Sequence, residues 1–506
     1  MSQIKRRKRA SRLAYLPVLA GVIFLSGGIS RTSAQSPQVV SVKWDKVTGV
    51  SKTEASFQVV VNPPMRRGTA IHDEVFESIK NLQCDHVRYV PWLPYPRLGV
   101  PELEPPSDGK TSWSFSLIDP MTKDFMNATS GHSVIMNFST IPQWMFKTGH
   151  PVSYPADPDQ VFWSYTQGTT LRDPSMKEVA DYYARLVSWY TQGGFTDEFG
   201  QRHESGFHYK IDYWEALNEV DFEHKMTPEF YTALYDAVVT AIHKVDPHIK
   251  FVGMALAAPG KAADFFEYFL NPKNHQPGVP LDMISYHFYA NPTPDQKTED
   301  WQYTFFDQAD GFLNVVRYVE SIRKRLSPGT QTDLDELGAI LPNDNSVPRG
   351  TIPKSYWNLC GAMYAYLYVQ TARLGIDVVG ESQLVGYPTQ FPSVSMLDWN
   401  TGKPNPRYWV LKLIHDNFGP GDKLVETHVS TPSVEVQGFI TRDGKRKILL
   451  INKRQQPVEL SLPSATGARI EYVDPTTGFD SPSAINIPRD EVTLNPFAVE
   501  VVTLAH

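Results

Sequence analysis

Short apolar segments alternate with amphipathic helical segments between about residue 70 and residue 418, and this alternation limits the fold more than any other feature. Repeats of this kind indicate a parallel sheet, because each helix returns the chain to the edge where the next strand starts. Seven strands are predicted, at 85–90, 132–138, 211–217, 250–254, 282–288, 332–336 and 377–381. Helices are predicted at 72–82, at 177–190, after Thr227 and Pro228, and from about Pro406.

An eighth strand must precede the first helix, and residues 56–61 or 68–71 could supply it. Eight strand–helix units close into a (β/α)8 or TIM barrel, whereas the alternative open doubly wound sheet lacks a glycine-rich phosphate loop here. After about residue 422 only strands are predicted, at 433–441, 447–452, 457–462, 469–473 and 498–504. Arg442, Asp443 and Gly444 mark a hairpin between the first two. The expected class is therefore α/β, a TIM barrel with a C-terminal β-sandwich.

The first residues resemble an export signal. A basic stretch precedes an apolar run over 13–25, which is shorter than the roughly 20 residues that span a bilayer. Cleavage after Ala34 would start the mature chain near Gln35 and make the protein secreted or periplasmic; an uncleaved segment would anchor it to the membrane. The predicted domains are 1–34 as signal peptide, 35–64 joining the sandwich or leading into the barrel, 65–420 as barrel and 421–506 as sandwich.

Charge and cysteine content limit the partners. Residues 1–34 contain seven basic and no acidic residues, so the mature chain carries 41 basic against 55 acidic residues, a net charge of −14. Such a surface repels polyanions, which argues against nucleic acid and highly sulfated glycans. Cys84 and Cys360 lie in separate predicted elements, which favours two buried free thiols, although a disulfide stays open. No Cys/His spacing indicates a metal site, and no cofactor is expected.

The segment YWEALNE at 213–219 places Asn218 and Glu219 where a predicted barrel strand ends. Barrel chemistry is located at such ends. Splitting a glycosidic bond requires a carboxylic acid that protonates the leaving oxygen, and retention of configuration requires a second carboxylate as nucleophile. Glu219 is the candidate acid/base, and the Asn218 amide could bond the 2-hydroxyl of a sugar.

The second carboxylate is expected from QTDLDELG at 331–338. Strand alternation does not allow Asp333 and Glu336 both to point inward. Glu336, beside Gly338, is the preferred nucleophile, with Asp333 and Asp335 as alternatives. A solvated acidic cluster is the simplest non-catalytic interpretation.

Four ordered segments resemble glycoside hydrolases of clan A, and most closely glycoside hydrolase family 39, which includes β-xylosidases and α-L-iduronidases. They are DHVRY at 85–89, WEALNE at 214–219, SYHFY at 285–289 and DELG at 335–338. The resemblance, over about 65–420, implies that Arg88 supports the nucleophile and that His287 and Tyr289 line the sugar subsite. Taken singly, Arg88 could instead pair with Glu215, and His287 could be a core histidine.

The chain departs from the family pattern at three points. Val220 replaces the proline after the Asn–Glu pair, Tyr89-Val90-Pro91 replaces a sugar-contacting histidine, and Leu337 replaces an aromatic residue. The reaction class is unaffected, but the sugar cannot be assigned by resemblance. Trp92 and Trp144 follow strand ends and are candidate sugar platforms.

The resulting prediction is a retaining glycosidase that acts on poly- or oligosaccharides. The alternatives are an inverting glycosidase and a carbohydrate-binding protein without turnover. The distance between the two carboxyl groups discriminates the first two mechanisms, since retaining enzymes have about 5–5.5 Å and inverting enzymes about 6.5–9.5 Å.

Overall fold

The computed structural model describes residues 37–165, 168–346 and 351–505. The predicted signal peptide at 1–34 lies outside them. Among the described residues, no helix has the length and apolar character needed to cross a bilayer.

The centre of the molecule is a closed barrel of eight parallel strands, which confirms the predicted class. In chain order the barrel strands are β2 (Glu54–Val60), β3 (Val87–Val90), β4 (Val134–Met136), β7 (Tyr213–Ala216), β8 (Lys250–Leu256), β9 (Met283–Ala290), β10 (Gln331–Ala339) and β11 (Val378–Glu381), with β11 pairing back to β2. A short hairpin of β5 (Gly194–Thr196) and β6 (Arg202–Glu204) interrupts the series.

Where the sequence gives positions, at 72–82, at 177–190, after Thr227 and Pro228 and from about Pro406, the helices of the barrel begin as predicted. They are α1 (His72–Leu82), α2 (Pro96–Gly99), α3 (Ile118–Ala128), α4 (Lys177–Thr191), α5 (Pro228–Val245), α6 (Ala263–Phe269), α7 (Trp301–Leu326), α8 (Lys354–Leu374) and α9 (Pro406–Asn417). At the start of α5 the Thr227 hydroxyl accepts the Phe230 backbone N–H at 3.3 Å, which is the expected N-cap.

Residues 35–64 divide between the two parts of the fold. β1 (Gln38–Val50) pairs with strands of the C-terminal domain, and β2 is the missing first barrel strand. The barrel therefore begins at Glu54, before the predicted boundary at residue 65. Of the two candidate segments for this strand, 56–61 overlaps it and 68–71 does not.

The C-terminal domain is a nine-stranded sheet that includes β1. Its other strands are β12 (Lys423–Val429), β13 (Val434–Ile440), β14 (Arg446–Asn452), β15 (Val458–Ser461), β16 (Arg469–Val473), β17 (Ser483–Asn486), β18 (Glu491–Leu494) and β19 (Val499–Thr503). Side chains from its middle, such as Val436 and Leu450, share one apolar core with Leu460 and Leu494 from the β15–β18 end. Two parts of the sheet thus face each other across a core, as in a β-sandwich.

The barrel interior is layered. Ile135, Tyr213, Val252, Met283 and Val378 come from five different strands and form one small buried apolar cluster, separate from the main core. Side chains from so many strands can meet only inside the barrel. Nearer the carboxyl ends of the strands the interior becomes polar and charged, and this layer supports the site.

Candidate active site

A cavity of about 770 Å³ opens at the carboxyl ends of the barrel strands, and both Glu219 and Glu336 line it. One carboxylate oxygen of Glu219, one of Glu336 and a ring nitrogen of His287 all lie within 4.8 Å of one another. The two predicted glutamates therefore face one cavity, with the His287 ring nitrogen close to both.

Irregular backbone at the end of β7 directs Asn218 and Glu219 into the same cavity. Leu217 has φ 72° and Glu219 has φ 43°, left-handed conformations that cost free energy in residues other than glycine. The Glu219 N–H donates to the Ala255 carbonyl at 2.8 Å, which fixes this bend against β8. Neighbouring side chains can thereby share one face, which a regular strand forbids.

A register shift in β10 corrects the prediction from strand alternation. Asp333 pairs with Ser285 and Glu336 with His287, so β10 has one more residue than β9 over this stretch, as in a β-bulge. Asp333 and Glu336 can then both point inward. Only Glu336 reaches the cavity, because Asp333 and Asp335 are buried deeper, with Asp335 3.1 Å from the Arg88 guanidinium.

Arg88, which is 1% exposed, connects the charged groups of the barrel interior. It donates to Glu215 at 2.5 Å, to Glu336 Oε1 at 2.6 Å and to Asn218 Oδ1 at 2.7 Å. Both interpretations of Arg88 thus hold, since it supports the candidate nucleophile and also pairs with Glu215. Its fixed donors orient Glu336 and Asn218 together.

Tyr289 and His287 complete the surroundings of the two glutamates. The Tyr289 hydroxyl donates to Glu336 Oε2 at 2.6 Å. His287 Nδ1 lies 3.1 Å from Glu219 Oε1 and 3.4 Å from Glu336 Oε2. Burial lowers the pKa of His287, but the charges of Glu336 and Asp335 and the bond to Glu219 outweigh burial, so the pKa is raised well above its ordinary value.

The environment of Glu219 favours its protonated form. Burial raises its pKa, the hydrogen bond and charge of His287 lower it, and repulsion by Glu336 raises it again, with a net increase above the ordinary value. A buried carboxyl beside an ionised carboxylate is the environment of a general acid.

The predicted binding residues divide into three groups. Asn218, Tyr289 and Trp92 line the cavity. Arg88 and His287 do not, and instead lie behind its wall, where they bond the two glutamates rather than a sugar. The prediction that Trp144 is a sugar platform is wrong, because Trp144 is buried away from the cavity. Its indole N–H donates to the Glu102 carbonyl at 2.8 Å, and the Arg172 guanidinium lies over its ring.

Sequence reasoning missed several lining residues. Glu223, Phe222 and Trp163 lie in loops, where no periodic pattern marks a side chain as facing the site. The position of Glu223, four residues after Glu219, could have indicated it. Gln58 could not be identified because the position of the first barrel strand was uncertain. Its side-chain amide accepts a hydrogen bond from Arg88 at 2.7 Å and donates one to Ser382 at 2.6 Å.

The spacing of three side chains, those of Glu219, His287 and Glu336, would also allow them to bind a cation. However, His287 forms a hydrogen bond with Glu219, and the surroundings of His287 favour its protonated ring, which is not a metal ligand. The geometry fits an acid–base pair better than a metal site.

Comparison with known proteins identifies similar glycoside hydrolases. Residues 160–331 match the family model for glycosyl hydrolases family 39, a stretch that contains Glu219 but ends before Glu336. A β-xylosidase from Geobacillus stearothermophilus is 28% identical over 95 residues, which is 18% of this chain and 18% of that protein.

The fold resembles solved glycosidase structures over nearly the whole chain. The GH51 arabinofuranosidase from Xanthomonas axonopodis pv. citri has a TM-score of 0.62 at 13% identity, covering 92% of this chain and 99% of its own. The glucosidase from Croceicoccus marinus has a TM-score of 0.60 at 16% identity, covering 93% and 100%. The GH30 endoxylanase from Clostridium papyrosolvens C71 has a TM-score of 0.54 at 14% identity, covering 92% and 99%. The chain thus resembles glycoside hydrolase family 39 within clan A in sequence and clan A enzymes in fold.

Proposed function

We propose that this chain is a retaining glycoside hydrolase that cleaves O-glycosidic bonds by double displacement, with Glu336 as nucleophile and Glu219 as general acid/base. The observation that carries the proposal is the approach of the two carboxylates, whose nearest oxygens lie within 4.8 Å across the cavity. That approach supports retention, since an inverting enzyme keeps its carboxyl groups about 6.5–9.5 Å apart to admit a water molecule.

In the first step Glu219 protonates the leaving oxygen while Glu336 attacks the anomeric carbon. Arg88 and Tyr289 hold one oxygen each of the Glu336 carboxylate, so its direction of attack is fixed. The negative charge on Glu336 disappears when the glycosyl ester forms. Because repulsion by that charge is one cause of the raised pKa of Glu219, formation of the ester lowers this pKa, and Glu219 stays ionised after giving its proton to the leaving oxygen.

In the second step Glu219, now ionised, takes a proton from the water that attacks the anomeric carbon. The bond to Glu336 breaks, the sugar leaves with its original configuration, and both glutamates return to their starting states. His287 lies between the two carboxylates, 3.1 Å from Glu219 and 3.4 Å from Glu336, and is not among the residues that line the cavity.

The charge of the cavity supports a neutral sugar as substrate, in a poly- or oligosaccharide. Among the described residues that line it there is no lysine, arginine or histidine, while Glu219, Glu223 and Glu336 are acidic. A uronic acid or a sulfated sugar would meet no counter-charge there. We further propose that the protein is exported through residues 1–34, or anchored by them if they are retained.

The test uses a panel of aryl xyloside, glucoside, galactoside, arabinofuranoside and iduronide to find a substrate, followed by azide with two variants. Glu336→Ala cannot form the ester, so turnover should fall by several orders of magnitude and azide should give an inverted glycosyl azide. Glu219→Ala should still form the ester with a very good leaving group, and azide should then give a retained product. Glu229→Ala, exposed at the start of α5, is the control.

Opposite stereochemistry from the two variants would agree with the proposal. Near-normal activity of Glu336→Ala would refute the nucleophile assignment, in which case Asp333 and Asp335 would be tested next. If wild-type protein bound sugars but hydrolysed none of the panel, the chain would be a carbohydrate-binding protein instead.

A further inference from the structure

Glu223 is a third carboxyl group in the cavity, and the mechanism above gives it no role. It lies in the loop between β7 and α5, where its backbone N–H donates to the Glu219 carbonyl at 2.8 Å. This tight turn brings the Glu223 side chain to the same wall as Asn218 and Glu219. The residue is half-buried, but its carboxyl oxygen Oε2 is buried.

The two oxygens of Glu223 have different surroundings. Oε1 accepts the Trp92 indole N–H at 2.6 Å and the Asn218 amide at 2.9 Å. Oε2 has no hydrogen-bond partner among the described residues. A buried polar atom without a partner is costly, so Oε2, which belongs to a residue of the cavity wall, is expected to gain a partner when a molecule binds.

The charges around Glu223 favour its neutral form. Burial, together with repulsion by Glu219 and Glu336, raises its pKa to about 8, although the hydrogen bonds from Asn218 and Trp92 act in the opposite direction. Glu219 and Glu336 are the titratable groups that face it, while Arg88 reaches it only through the Asn218 amide. Since two N–H donors occupy Oε1, the proton belongs on Oε2, which then offers an O–H donor.

We propose that Glu223 binds substrate directly, with its Oε2–H donating to a sugar hydroxyl other than the 2-hydroxyl expected at Asn218, and that this contact selects the sugar. The inference rests on the proposed function and adds a specificity-determining residue to it. A neutral acid suits this role because it donates a hydrogen bond without adding a negative charge beside the Glu336 carboxylate.

The experiment couples the residue to the hydroxyl. The parent aryl glycoside and its monodeoxy analogues are compared on wild type and on Glu223→Leu, with thermal unfolding measured for each protein. In wild type, loss of the contacted hydroxyl should lower kcat/KM about 10–100-fold, because a buried polar group is left unpaired. In Glu223→Leu the parent should lose a similar factor, and the same deoxygenation should then cost less than about threefold. Asn218→Ala is the control, and it should couple to the 2-hydroxyl.

Glu223→Gln tests the protonation state and does not depend on how Glu223→Leu folds. Its amide keeps an acceptor for Trp92 and Asn218 and a donor in place of the O–H, so kcat/KM well below the wild-type pKa should stay within about threefold. With a dinitrophenyl glycoside, which needs no acid, wild type should lose kcat/KM as the pH rises through about 8 while Glu223→Gln should not.

Two results would overturn the inference. In the first, Glu223→Leu keeps the wild-type losses for every deoxy analogue. In the second, Glu223→Gln is as impaired as Glu223→Leu or shows the wild-type alkaline fall. An inactive wild type would instead defeat the proposed function, so the two failures are distinguishable.

Discussion

Replacing Tyr289 with phenylalanine removes one oxygen atom and one donor from Glu336. The hydroxyl lies 2.6 Å from Glu336 Oε2 and 2.5 Å from the Ser382 hydroxyl. A hydrogen bond to a charged group contributes about 1.5–3 kcal/mol, which corresponds to about 10–150-fold in rate if it serves the transition state. Arg88 would still hold Oε1, so the carboxylate would stay in the cavity with Oε2 free to turn toward His287. The expected loss in kcat/KM is about 10–100-fold.

Tyr286→Phe is a matched control on the same strand. Its ring is fully buried, and its hydroxyl has no hydrogen-bond partner among the described residues. The change removes the same atom from β9 without touching the site. Activity should therefore be unchanged, and the free energy of unfolding should be equal or higher, because an unpaired buried hydroxyl is costly.

The assay measures kcat and KM for the most active aryl glycoside, together with the melting temperature of all three proteins. Tyr289→Phe should melt close to wild type, since the ring and its packing remain. The reasoning is refuted if Tyr289→Phe stays within about twofold of wild type, or if Tyr286→Phe is equally impaired, because a donor to Glu336 would then have no specific effect.

Three further outcomes are expected. Burial raises the pKa of Glu102 to about 9 from its ordinary 4.5. Its proton therefore stabilises the fold fully below pH 4.5, and this stabilisation is lost as the pH rises toward 9. The melting temperature should fall over this range, and Glu102→Gln should reduce the fall. Trp163→Ala, which removes a cavity ring packed edge-on against Trp92 at 5.3 Å, should raise KM for aryl glycosides several-fold with little change in kcat, unlike Phe199→Ala. Exported protein should begin near Gln35 on N-terminal sequencing, and an intact Met1 would favour the membrane anchor.

The sequence predicts the fold well where periodicity is regular. The predicted helix at 72–82 and strand at 469–473 coincide with α1 and β16, and each of the seven predicted barrel strands overlaps an observed one. Cys84 and Cys360 are buried free thiols, as favoured. These elements depend on local pattern and on burial of one face, and both can be read from neighbouring residues.

Features that depend on contacts distant in sequence could not be predicted in the same way. The shift in β10 that turns Glu336 inward is defined only by its pairing with β9. Trp144 follows a strand, as a sugar platform would, but the Glu102 carbonyl binds its indole away from the cavity. Glu223 gains its environment from Trp92, 131 residues away. Strand-end position therefore predicts which loops reach the site but not which side chains face it.

One of the departures from the expected family pattern lies on the wall of the cavity. Where related proteins are expected to place a sugar-contacting histidine after Arg88, this chain has Val90, which lines the cavity beside Val60 and offers no hydrogen bond. On the side of β7, by contrast, Asn218 and Glu223 present polar groups. Under the role proposed for Glu223, polar recognition of the sugar would come from the loop after β7 rather than from the β3 side. The absence of the expected histidine therefore argues against transferring the substrate of the β-xylosidase to this chain.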